Sequence, residues 1–531
     1  MYDLLIKNAS IIDGTGIPAF AGSVACLDGK LVTSPDEEKG AREIIDAQGL
    51  CLSPGFIDPH SHGDSPVGEE CNSLSKISQG ITTHIGGLCG GSSFPVNPEK
   101  VSSMAGDLPA KIEKYGLKSF ESFKNYLDHV KKLCLIENIA FFIGHGTVRI
   151  AAMGYDDRAP TPAELEHMKD MVDEAMRHGA IGLSSGLIYI PGAYSDIDEM
   201  SELCKVVARY DGVYATHMRN EADQVLDSIK EAIEVARRSG CRLNISHLKA
   251  CGRQNHGVAP QMLALIHAAR NEGIRISADQ YPYHASSTSL AICLPPKYFS
   301  MGIKYMVETI KKPEMRKIIE AEIRDPNCGY ENLYIGCGFE GMLVVRSPKT
   351  PEALGKTVQR YTEDNSFNEF GGLFDLLIKN EGDVSCVFFD IGHEDVMTII
   401  SDPQVLVGTD GAYSSYGSMT HPRAFGTFPR ALAVYWREKK ALPLEQMIRK
   451  MTSLTAQTHL VPGKGVIADG MDADLVLFDK YAIADKADFT NSSLVSDGIE
   501  YVIVAGRVVY KDRKLTDAAP GKIVLRKGYR A

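Results

Sequence analysis

The stretch Ser53-Pro-Gly-Phe-Ile-Asp-Pro-His-Ser-His62 is an apolar run that ends in two histidines, His60 and His62. The apolar part predicts a short buried strand that carries the histidines at its C-terminal tip. Because side chains alternate along a strand, both imidazoles point to the same side and can bind one metal ion together. Neutral imidazole is a common ligand for zinc. Histidine pairs also follow strands without any metal, so the prediction depends on the residues downstream.

Composition excludes several classes of protein. A length of 531 residues predicts one large domain with a smaller one. The net charge of −11, with no basic run, argues against nucleic-acid binding. No segment reaches the ~20 apolar residues of a membrane span, and the N-terminus lacks the features of a signal peptide. Twelve cysteines without short, regular spacings favour reduced thiols and a cytoplasmic protein.

Both ends of the chain have the pattern of short strands divided by turns. Asp3–Lys7 and Ser10–Asp13 are examples near the N-terminus, and Ala473–Phe478 and Tyr501–Tyr510 are examples near the C-terminus. Neither end has enough apolar surface to fold alone. We therefore expect residues 1–54 and 456–531 to form one small β-sandwich domain that is discontinuous in sequence.

Residues 55–455 alternate between strand and helix patterns, which is typical of a parallel α/β fold. We expect a metal-dependent (β/α)₈ TIM-like barrel, an architecture of about 250 residues before insertions. The clearest helix is Glu221–Arg238, and a polar stretch at about 295–375 is predicted as an insertion over the top of the barrel. Nine candidate strands compete for eight places, and Cys386–Ile391 is predicted to be the extra one. The nine are Gly55–Pro59, Gly80–Gly86, Ile139–Gly144, Ala180–Ser184, Gly212–Thr216, Arg242–Ser246, Ile274–Asp279, Cys386–Ile391 and Gln404–Thr409.

Three further candidate metal ligands follow predicted strands. Gly212-Val-Tyr-Ala-Thr-His217 and Arg242-Leu-Asn-Ile-Ser-His247 each end in histidine, 30 residues apart. This distance is about one β/α unit, so His217 and His247 should lie on neighbouring strands at the same height. Asp410 ends the last candidate strand. A residue in such a place often only caps a helix, but four strand ends of this kind favour a metal site.

Cys89 lies just beyond the second candidate strand, in the glycine-rich segment Gly80–Gly91. The glycines allow tight turns there and leave the thiol room to reach inward. A lone cysteine is usually a small buried apolar residue. Near several imidazoles, however, a thiolate is a good zinc ligand, and a bound metal keeps it deprotonated.

Motifs spread over nearly the whole chain share a pattern with one enzyme superfamily. They are Pro54-Gly-Phe-Ile-Asp-Pro-His-Ser-His62, Gly80-Ile-Thr-Thr with Cys89-Gly90, Thr216-His217-Met-Arg219-Asn, Ile245-Ser-His-Leu-Lys249, Asp279-Gln-Tyr-Pro-Tyr283, Ser286-Ser-Thr288 and His421-Pro-Arg-Ala-Phe-Gly-Thr-Phe-Pro429. On these motifs the chain resembles the amidohydrolase superfamily, and within it the N-acyl-D-amino-acid deacylases, or D-aminoacylases. Many amidohydrolases bridge two metals with a carboxylated lysine on the fourth strand, but Ala180–Ser184 contains no lysine. The D-aminoacylase branch uses a cysteine near the second strand instead, and Cys89 matches it.

The resemblance implies that zinc is the cofactor. It implies a tight site formed by Cys89, His217 and His247, and a weaker second site formed by His60, His62 and Asp410, which shares Cys89. Asp410 would act on the metal-activated water, first as general base and then as the acid that protonates the leaving amine.

The resemblance also implies how a substrate is held. Arg423 and Lys249 match positions that bind the α-carboxylate, for which a guanidinium is suited by its two parallel hydrogen bonds. Tyr281 and Ser286 match carboxylate-binding positions, although the register leaves Tyr283 or Ser287 open. Tyr189 is expected to hydrogen-bond the acyl oxygen or to form an ordinary pocket wall.

The expected reaction is zinc-dependent hydrolysis of small N-acyl-D-amino acids to a carboxylate and a free D-amino acid. Relatives that act on acidic substrates carry an arginine after the Ser-Ser-Thr segment, whereas Ser289–Pro295 is apolar here, which predicts neutral or hydrophobic side chains. A cyclic amide, as in dihydroorotases or hydantoinases, a lactone, and a D-amino-acid dipeptide are alternative substrates. A scaffold without metal is a remote alternative. The sequence does not indicate an oligomeric state.

Overall fold

Both ends of the chain contribute strands to one nine-stranded sheet in the computed structural model, which describes residues 1–63, 73–96, 120–299 and 301–529. The two ends meet where Cys51–Pro54 pairs antiparallel with Leu475–Phe478. The strands of this terminal sheet are Tyr2–Ile11, Phe20–Leu27, Lys30–Val32, Ala41–Asp46, Cys51–Pro54, Leu475–Phe478, Ile499–Val504, Arg507–Lys511 and Lys514–Leu515. These strands are hydrogen-bonded into one continuous sheet. Two separate packed layers are not seen among them, so the two-layer sandwich stays a prediction.

Alternate residues of one strand show how the terminal sheet is packed. Leu475 and Leu477 point into a cluster with Leu4 and other residues of the same sheet. Val476 and Phe478 point to the opposite face, into a cluster that includes Phe56 of the first parallel strand. The period of two therefore lets one face of the sheet pack on itself and the other face pack against the rest of the protein.

The parallel strands between the chain ends lie in two sheets. The first sheet contains Phe56–Asp58, Ile81–Gly86 and Asn138–Phe141, and the second, in spatial order, contains Ile143–Gly144, Gly182–Gly186, Val213–His217, Arg242–Ile245, Ile276–Gln280 and Val405–Val407. Backbone hydrogen bonds link the sheets on both sides. Ile181 N bonds to Phe141 O at 2.8 Å on one side. On the other side, Asp410 N bonds to His60 O at 2.8 Å and His62 N bonds to Gly411 O at 3.1 Å.

The described strands therefore form two linked parallel sheets, whereas the sequence predicted one closed barrel. The third strand of the predicted eight is broken at Phe142. The amide of Phe142 bonds to Gly86 O in the first sheet, whereas Ile143 already pairs with Leu183 in the second. The break separates the two sheets, because the halves of one strand have different partners.

Helices connect the parallel strands. The described α-helices are Leu74–Ile77, Phe123–Val130, His145–Met153, Pro162–Arg177, Ile197–Arg209, Val225–Ser239, Ala259–Asn271, Ile303–Ile310, Pro313–Arg324, Leu333–Cys337, Val358–Asp364, Gly371–Lys379, His393–Ile400, Arg423–Arg430, Leu444–Met451 and Ser453–Thr458, and Ala431–Glu438 is a π-helix. Val225–Ser239 buries Val225, Ile229 and Ile233 on one face and ends at Gly240 in a left-handed conformation. It begins four residues after the predicted Glu221.

An inserted unit follows the strand Ile276–Gln280. Its three-stranded antiparallel sheet consists of Ser286–Ser289, Met342–Arg346 and Ser385–Phe388. The predicted extra strand thus lies here and outside the parallel sheets. The unit begins earlier and ends later than the predicted 295–375, because its first and last strands pair with each other.

The final described residues leave the terminal sheet and run along the parallel strands. Gly521 N bonds to Leu135 O, and Val524 N bonds to Ile139 O at 2.7 Å. None of the described helices combines the length and the apolar character needed to cross a lipid bilayer.

Candidate metal centre and substrate cavity

Four predicted ligands converge at the C-terminal ends of the parallel strands. The sulfur of Cys89 lies 3.3 Å from Nε2 of both His60 and His247. The Asp410 carboxylate lies 3.4 Å from His60 Nε2 and 3.0 Å from His62 Nε2. One donor atom from each of His60, Cys89, His247 and Asp410 lies within 4.8 Å of the other three, so one ion can contact all four.

His217 completes the cluster from the neighbouring strand. Its ring lies 4.4 Å from the ring of His247, and the paired strands place Gly186 and His217 at the same level. Both ring nitrogens of His217 are buried without a hydrogen-bond partner among the described residues. Such nitrogens are costly to leave unpaired, and a bound metal ion would satisfy one of them.

Three of the predicted ligands have an uncommon backbone conformation. The φ angles are +50° at Cys89, +36° at His247 and +48° at Asp410, in the left-handed region that side chains with a Cβ rarely adopt. Next to Cys89, a Cβ on Gly90 would lie 2.7 Å from Gly186 N, so glycine is required for the loop to approach this closely. Eleven other described non-glycine residues also have a positive φ, but three of them together in one cluster of ligands are consistent with a functional site.

The charges around the cluster keep its acidic groups ionised. Burial by itself would raise the pKa of the Cys89 thiol, but His60 and His247 hold that pKa well below its usual range. Burial likewise opposes ionisation of Asp410, but the Arg423 guanidinium, 2.8 Å from Oδ2, and the nearby imidazoles hold its pKa well below the usual value. The neighbouring imidazoles and the Arg423 guanidinium thus favour the thiolate form of Cys89 and the carboxylate form of Asp410.

Asp279 orients two of the histidines and was not singled out by the sequence reasoning. Its carboxylate lies 3.2 Å from His60 Nδ1 and accepts hydrogen bonds from His247 N at 2.8 Å and Asn244 Nδ2 at 2.6 Å. The signal was available, because Asp279 stands near the end of a parallel strand, as the ligands do. Contacts of this kind fix the orientation of a metal-binding imidazole.

Glu221 is a second residue that the sequence reasoning missed. Its carboxylate lies 3.0 Å from His247 Nδ1, 3.5 Å from His217 Nε2 and 2.5 Å from Lys249 Nζ. Its position four residues after His217 was the signal in the sequence. Lys249, predicted to bind substrate, also lies 2.8 Å from His247 Nδ1, so its ammonium belongs to the support of the cluster as well as to the cavity.

A cavity of about 350 Å³ opens onto the cluster. Its walls include every predicted ligand except His60, together with the five predicted substrate-binding residues Lys249, Arg423, Tyr281, Ser286 and Tyr189. The inserted unit contributes Glu331 and Leu333, as well as Ser286, Ser287 and Thr288 from its first strand. The apolar segment Ser289–Pro295 contributes no residue to the described wall, because most of its side chains pack in the core of the inserted unit.

The predicted substrate-binding residues differ in whether their polar groups already have hydrogen-bond partners. The Tyr281 hydroxyl is buried without a hydrogen-bond partner among the described groups, and the Arg423 guanidinium lies 4.8 Å from the Tyr281 ring. The Ser286 hydroxyl donates to Asp390 at 3.1 Å, and the Tyr189 hydroxyl lies 3.2 Å from Thr288 Oγ1. Tyr281 is therefore the member of this set whose hydroxyl most needs a ligand.

The match to a known protein family is interrupted where the inserted unit lies in the chain. The sequence model of the amidohydrolase family matches residues 43–320 and 389–510. The chain belongs to the amidohydrolase family. The unmatched residues between the two segments lie in the inserted unit, so this amidohydrolase departs from the family pattern where that unit covers the cavity.

Similarity to individual amidohydrolases covers nearly the whole chain. The N-acyl-D-aspartate deacylase of Alcaligenes xylosoxydans xylosoxydans is 31% identical over 98% of this chain and 95% of its own length. The N-acyl-D-glutamate deacylase of Bordetella bronchiseptica, solved with zinc and a phosphonate that mimics the tetrahedral intermediate, is 30% identical with a TM-score of 0.83, over 99% of both chains. A D-aminoacylase with a binuclear metal centre is 29% identical with a TM-score of 0.81, over 99% of this chain and 100% of its own. The resemblance drawn from the motifs is thereby confirmed.

The donor set of this chain fits zinc. Zinc prefers thiolate, imidazole and carboxylate ligands in a small coordination sphere, and these are the groups that Cys89, the histidines and Asp410 provide. The ring nitrogens of His217, which form no hydrogen bond with a described residue, are a further observation in favour of a metal at this place.

Proposed function

We propose that this amidohydrolase hydrolyses the amide bond of N-acyl-D-amino acids with zinc, releasing a carboxylate and a free D-amino acid. The observation that carries the proposal is the thiol of Cys89 placed between His60 and His247, with Asp410 beside them and no lysine among these four donors. The full-length similarity to enzymes named for linear N-acyl-D-amino acids supports this substrate class over cyclic amides.

We assign the tight zinc site to Cys89, His217 and His247. His60, His62 and Asp410 form the weaker second site, with Cys89 shared. Zinc, when bound, supplies Lewis acidity at the acyl carbonyl and makes water a better nucleophile. The second site depends on an imidazole, His62, that is one-third exposed, whereas the tight-site residues His217 and His247 are buried.

Asp410 carries the proton in the proposed mechanism. Its carboxylate is ionised and lies beside His60 and His62, so it can take a proton from the attacking water and pass it to the leaving amine. Its low pKa makes it a weak base, and transfer to it needs a strongly acidified water. Arg423 holds the carboxylate in place at 2.8 Å.

The substrate carboxylate is placed against Arg423, Lys249 and Tyr281. Arg423 lies between Asp410 and the ring of Tyr281, and its five donors leave it able to bind an incoming carboxylate. Ser286 and Tyr189 are assigned as further contacts, to the carboxylate and the acyl oxygen. We propose neutral or hydrophobic side chains for the substrate, because Lys249 and Arg423, the lysine and arginine of the described cavity wall, are both assigned to the α-carboxylate.

We also infer that the two parallel sheets complete one (β/α)₈ barrel, with the terminal sheet as a separate small domain. The backbone bonds between Ile181 and Phe141 and between Asp410 and His60 support this closure. The domain limits at residues 54 and 455, and the cytoplasmic location, stay predictions.

The test is release of free amine from N-acetyl-D-methionine and N-acetyl-L-methionine, with zinc-loaded protein and with protein stripped by a chelator. We expect hydrolysis of the D form alone, its loss on stripping and its recovery with zinc. If zinc-loaded protein hydrolyses neither form, the proposed substrate is wrong, and cyclic amides and lactones become the next substrates to assay.

A further inference from the structure

Charges on the cavity wall leave one carboxyl group without a cation. The wall contains the carboxyl groups of Glu221, Glu331 and Asp410 and the cationic side chains of Lys249 and Arg423. Lys249 Nζ lies 2.5 Å from Glu221, and Arg423 Nη1 lies 2.8 Å from Asp410. Among the described residues, no lysine, arginine or histidine nitrogen lies within 4.0 Å of the Glu331 carboxyl group. Glu331 is thus the acidic group of the wall that remains available for a ligand.

The inserted unit holds Glu331 firmly at this place. The residue is only 5% exposed, and one of its oxygens accepts a hydrogen bond from the backbone amide of Glu221. Leu333, two residues further along, lines the same cavity at the start of the helix Leu333–Cys337. No described group bonds the second oxygen of Glu331, so the carboxyl group is anchored on one side and open on the other.

The surroundings of Glu331 are unfavourable for a second anion. Burial and the neighbouring Glu221 already oppose its ionisation and raise the pKa of Glu331 to about 8. A substrate carboxylate placed there would lose its water and face acidic groups. An N–H group would instead find an acceptor whose hydrogen bond is otherwise unmade.

We propose that Glu331 selects the substrate side chain, accepting a hydrogen bond from side chains that end in an N–H donor and rejecting side chains that end in a carboxylate. The inference rests on the proposed deacylase function and adds a substrate class to it: N-acyl derivatives of amino acids such as D-glutamine and D-lysine. It separates this chain from the relatives whose names specify D-aspartate and D-glutamate. The selection acts through the inserted unit, where the family pattern does not extend.

The test compares N-acetyl-D-glutamine with N-acetyl-D-glutamate, which have the same size and differ in the terminal group. At about pH 9, where the Glu331 carboxyl group is ionised, we expect the unaltered enzyme to prefer glutamine by about a hundredfold in kcat/KM, as sites that pair a polar group discriminate strongly. At the same pH, Glu331→Gln should reduce this ratio by about tenfold or more, because it removes the negative charge and still accepts the bond from Glu221 N. Glu340→Gln is the matched control, since Glu340 lies in the same inserted unit with a side chain that is 55% exposed.

Two further substrates distinguish a loss of N–H recognition from a general loss of activity in Glu331→Gln. N-acetyl-D-methionine has no terminal charge or N–H donor, so Glu331→Gln should change its kcat/KM by no more than about twofold. N-acetyl-D-lysine tests a cationic donor, and its kcat/KM should fall in Glu331→Gln together with that of glutamine. Calorimetric titration of zinc-loaded enzyme with free D-glutamine and free D-glutamate measures the same preference without the chemical step.

An unaltered enzyme that hydrolyses methionine but prefers glutamate to glutamine would overturn the role of Glu331 and leave the deacylase function in place. So would a glutamine-to-glutamate ratio that is the same in Glu331→Gln, Glu340→Gln and the unaltered enzyme. Failure of the unaltered enzyme to hydrolyse any of the four substrates would reject the proposed function, and the selection with it. The ratio in the unaltered enzyme needs no variant, so the test holds even if Glu331→Gln does not fold.

Discussion

Replacing Lys76 with methionine should destabilise the protein by removing the cation from a fully buried network. Lys76 Nζ donates to Asp58 Oδ2 at 3.0 Å, to Thr409 Oγ1 at 3.0 Å and to Gly411 O at 2.8 Å. Both Lys76 and Asp58 have no exposed side-chain surface. Asp58 also accepts hydrogen bonds from the amides of Thr409 at 2.9 Å and His60 at 3.2 Å, so the network ties the first parallel strand to the last.

The size of the effect follows from the charge left behind. Breaking a buried ion pair by removing one partner costs about 3–5 kcal/mol, because the other charge stays uncompensated. Three hydrogen bonds to Asp58 remain, from two amides and the hydroxyl of Thr409, so we expect the low end, about 3 kcal/mol. The double variant Lys76→Met with Asp58→Asn removes both charges and should lose only about 1–2 kcal/mol.

The assay is urea unfolding followed by circular dichroism, with zinc content measured on the folded variants. Lys131→Met is the matched control, because Lys131 is 60% exposed and its ion pair with Asp128 is 3.9 Å long. It should cost less than about 0.5 kcal/mol. Since the network positions His60 and Asp410, Lys76→Met should also weaken the second zinc site more than the tight one. A loss under about 1 kcal/mol for Lys76→Met, or a double variant no more stable than the single one, would refute the reasoning.

Three other predictions concern the metal, the proton carrier and a buried amine. Cys89→Ser should abolish stoichiometric zinc binding and lower kcat/KM by about a hundredfold or more. Cys134→Ser, at an exposed cysteine, should change neither quantity. Full zinc content in Cys89→Ser would contradict the assignment of Cys89 as a zinc ligand. Asp410→Asn should lower kcat by about 10²–10⁴-fold while zinc stays in the tight site, and activity within tenfold of the unaltered enzyme would argue against a proton-transfer role. Burial lowers the pKa of Lys450 from 10.5 to about 7, although Asp402 opposes the shift. Between these two pH values the unfolded chain binds more protons than the folded protein. The free energy of unfolding should therefore rise with pH across this window. Lys450→Met should remove that rise and add up to about 5 kcal/mol below pH 7 in urea unfolding; an unchanged slope would show that the buried amine keeps its ordinary pKa.

Much of the candidate site was predictable because its signals are local. Each predicted ligand lies at or just beyond the end of a short apolar strand, and parallel strands bring such ends to one edge. His217 and His247 illustrate this, since their 30-residue spacing matches one strand, one helix and the next strand. The partnership of the two chain ends was predictable for a similar reason, because neither apolar pattern could be buried alone.

Other features were not predictable, because they depend on where chain segments meet in space. The break of the third strand at Phe142 arises from two different hydrogen-bond partners, which a continuous apolar pattern does not reveal. The helix predicted from Glu221 begins at Val225. The carboxylate of Glu221 is instead held by His247 and Lys249, whose positions are set by the next strand.

The amino-acid sequence by itself determined the family, the zinc-binding residue types and the order of the strands that carry them. The tertiary structure alone decided which charges are paired. Glu331 lies 110 residues from Glu221 in sequence, yet its carboxyl group bonds to the backbone of Glu221 at the cavity wall. Pairing over such distances is governed by packing of the inserted unit against the parallel strands, and the energies of buried charges depend on that packing more than on any local pattern.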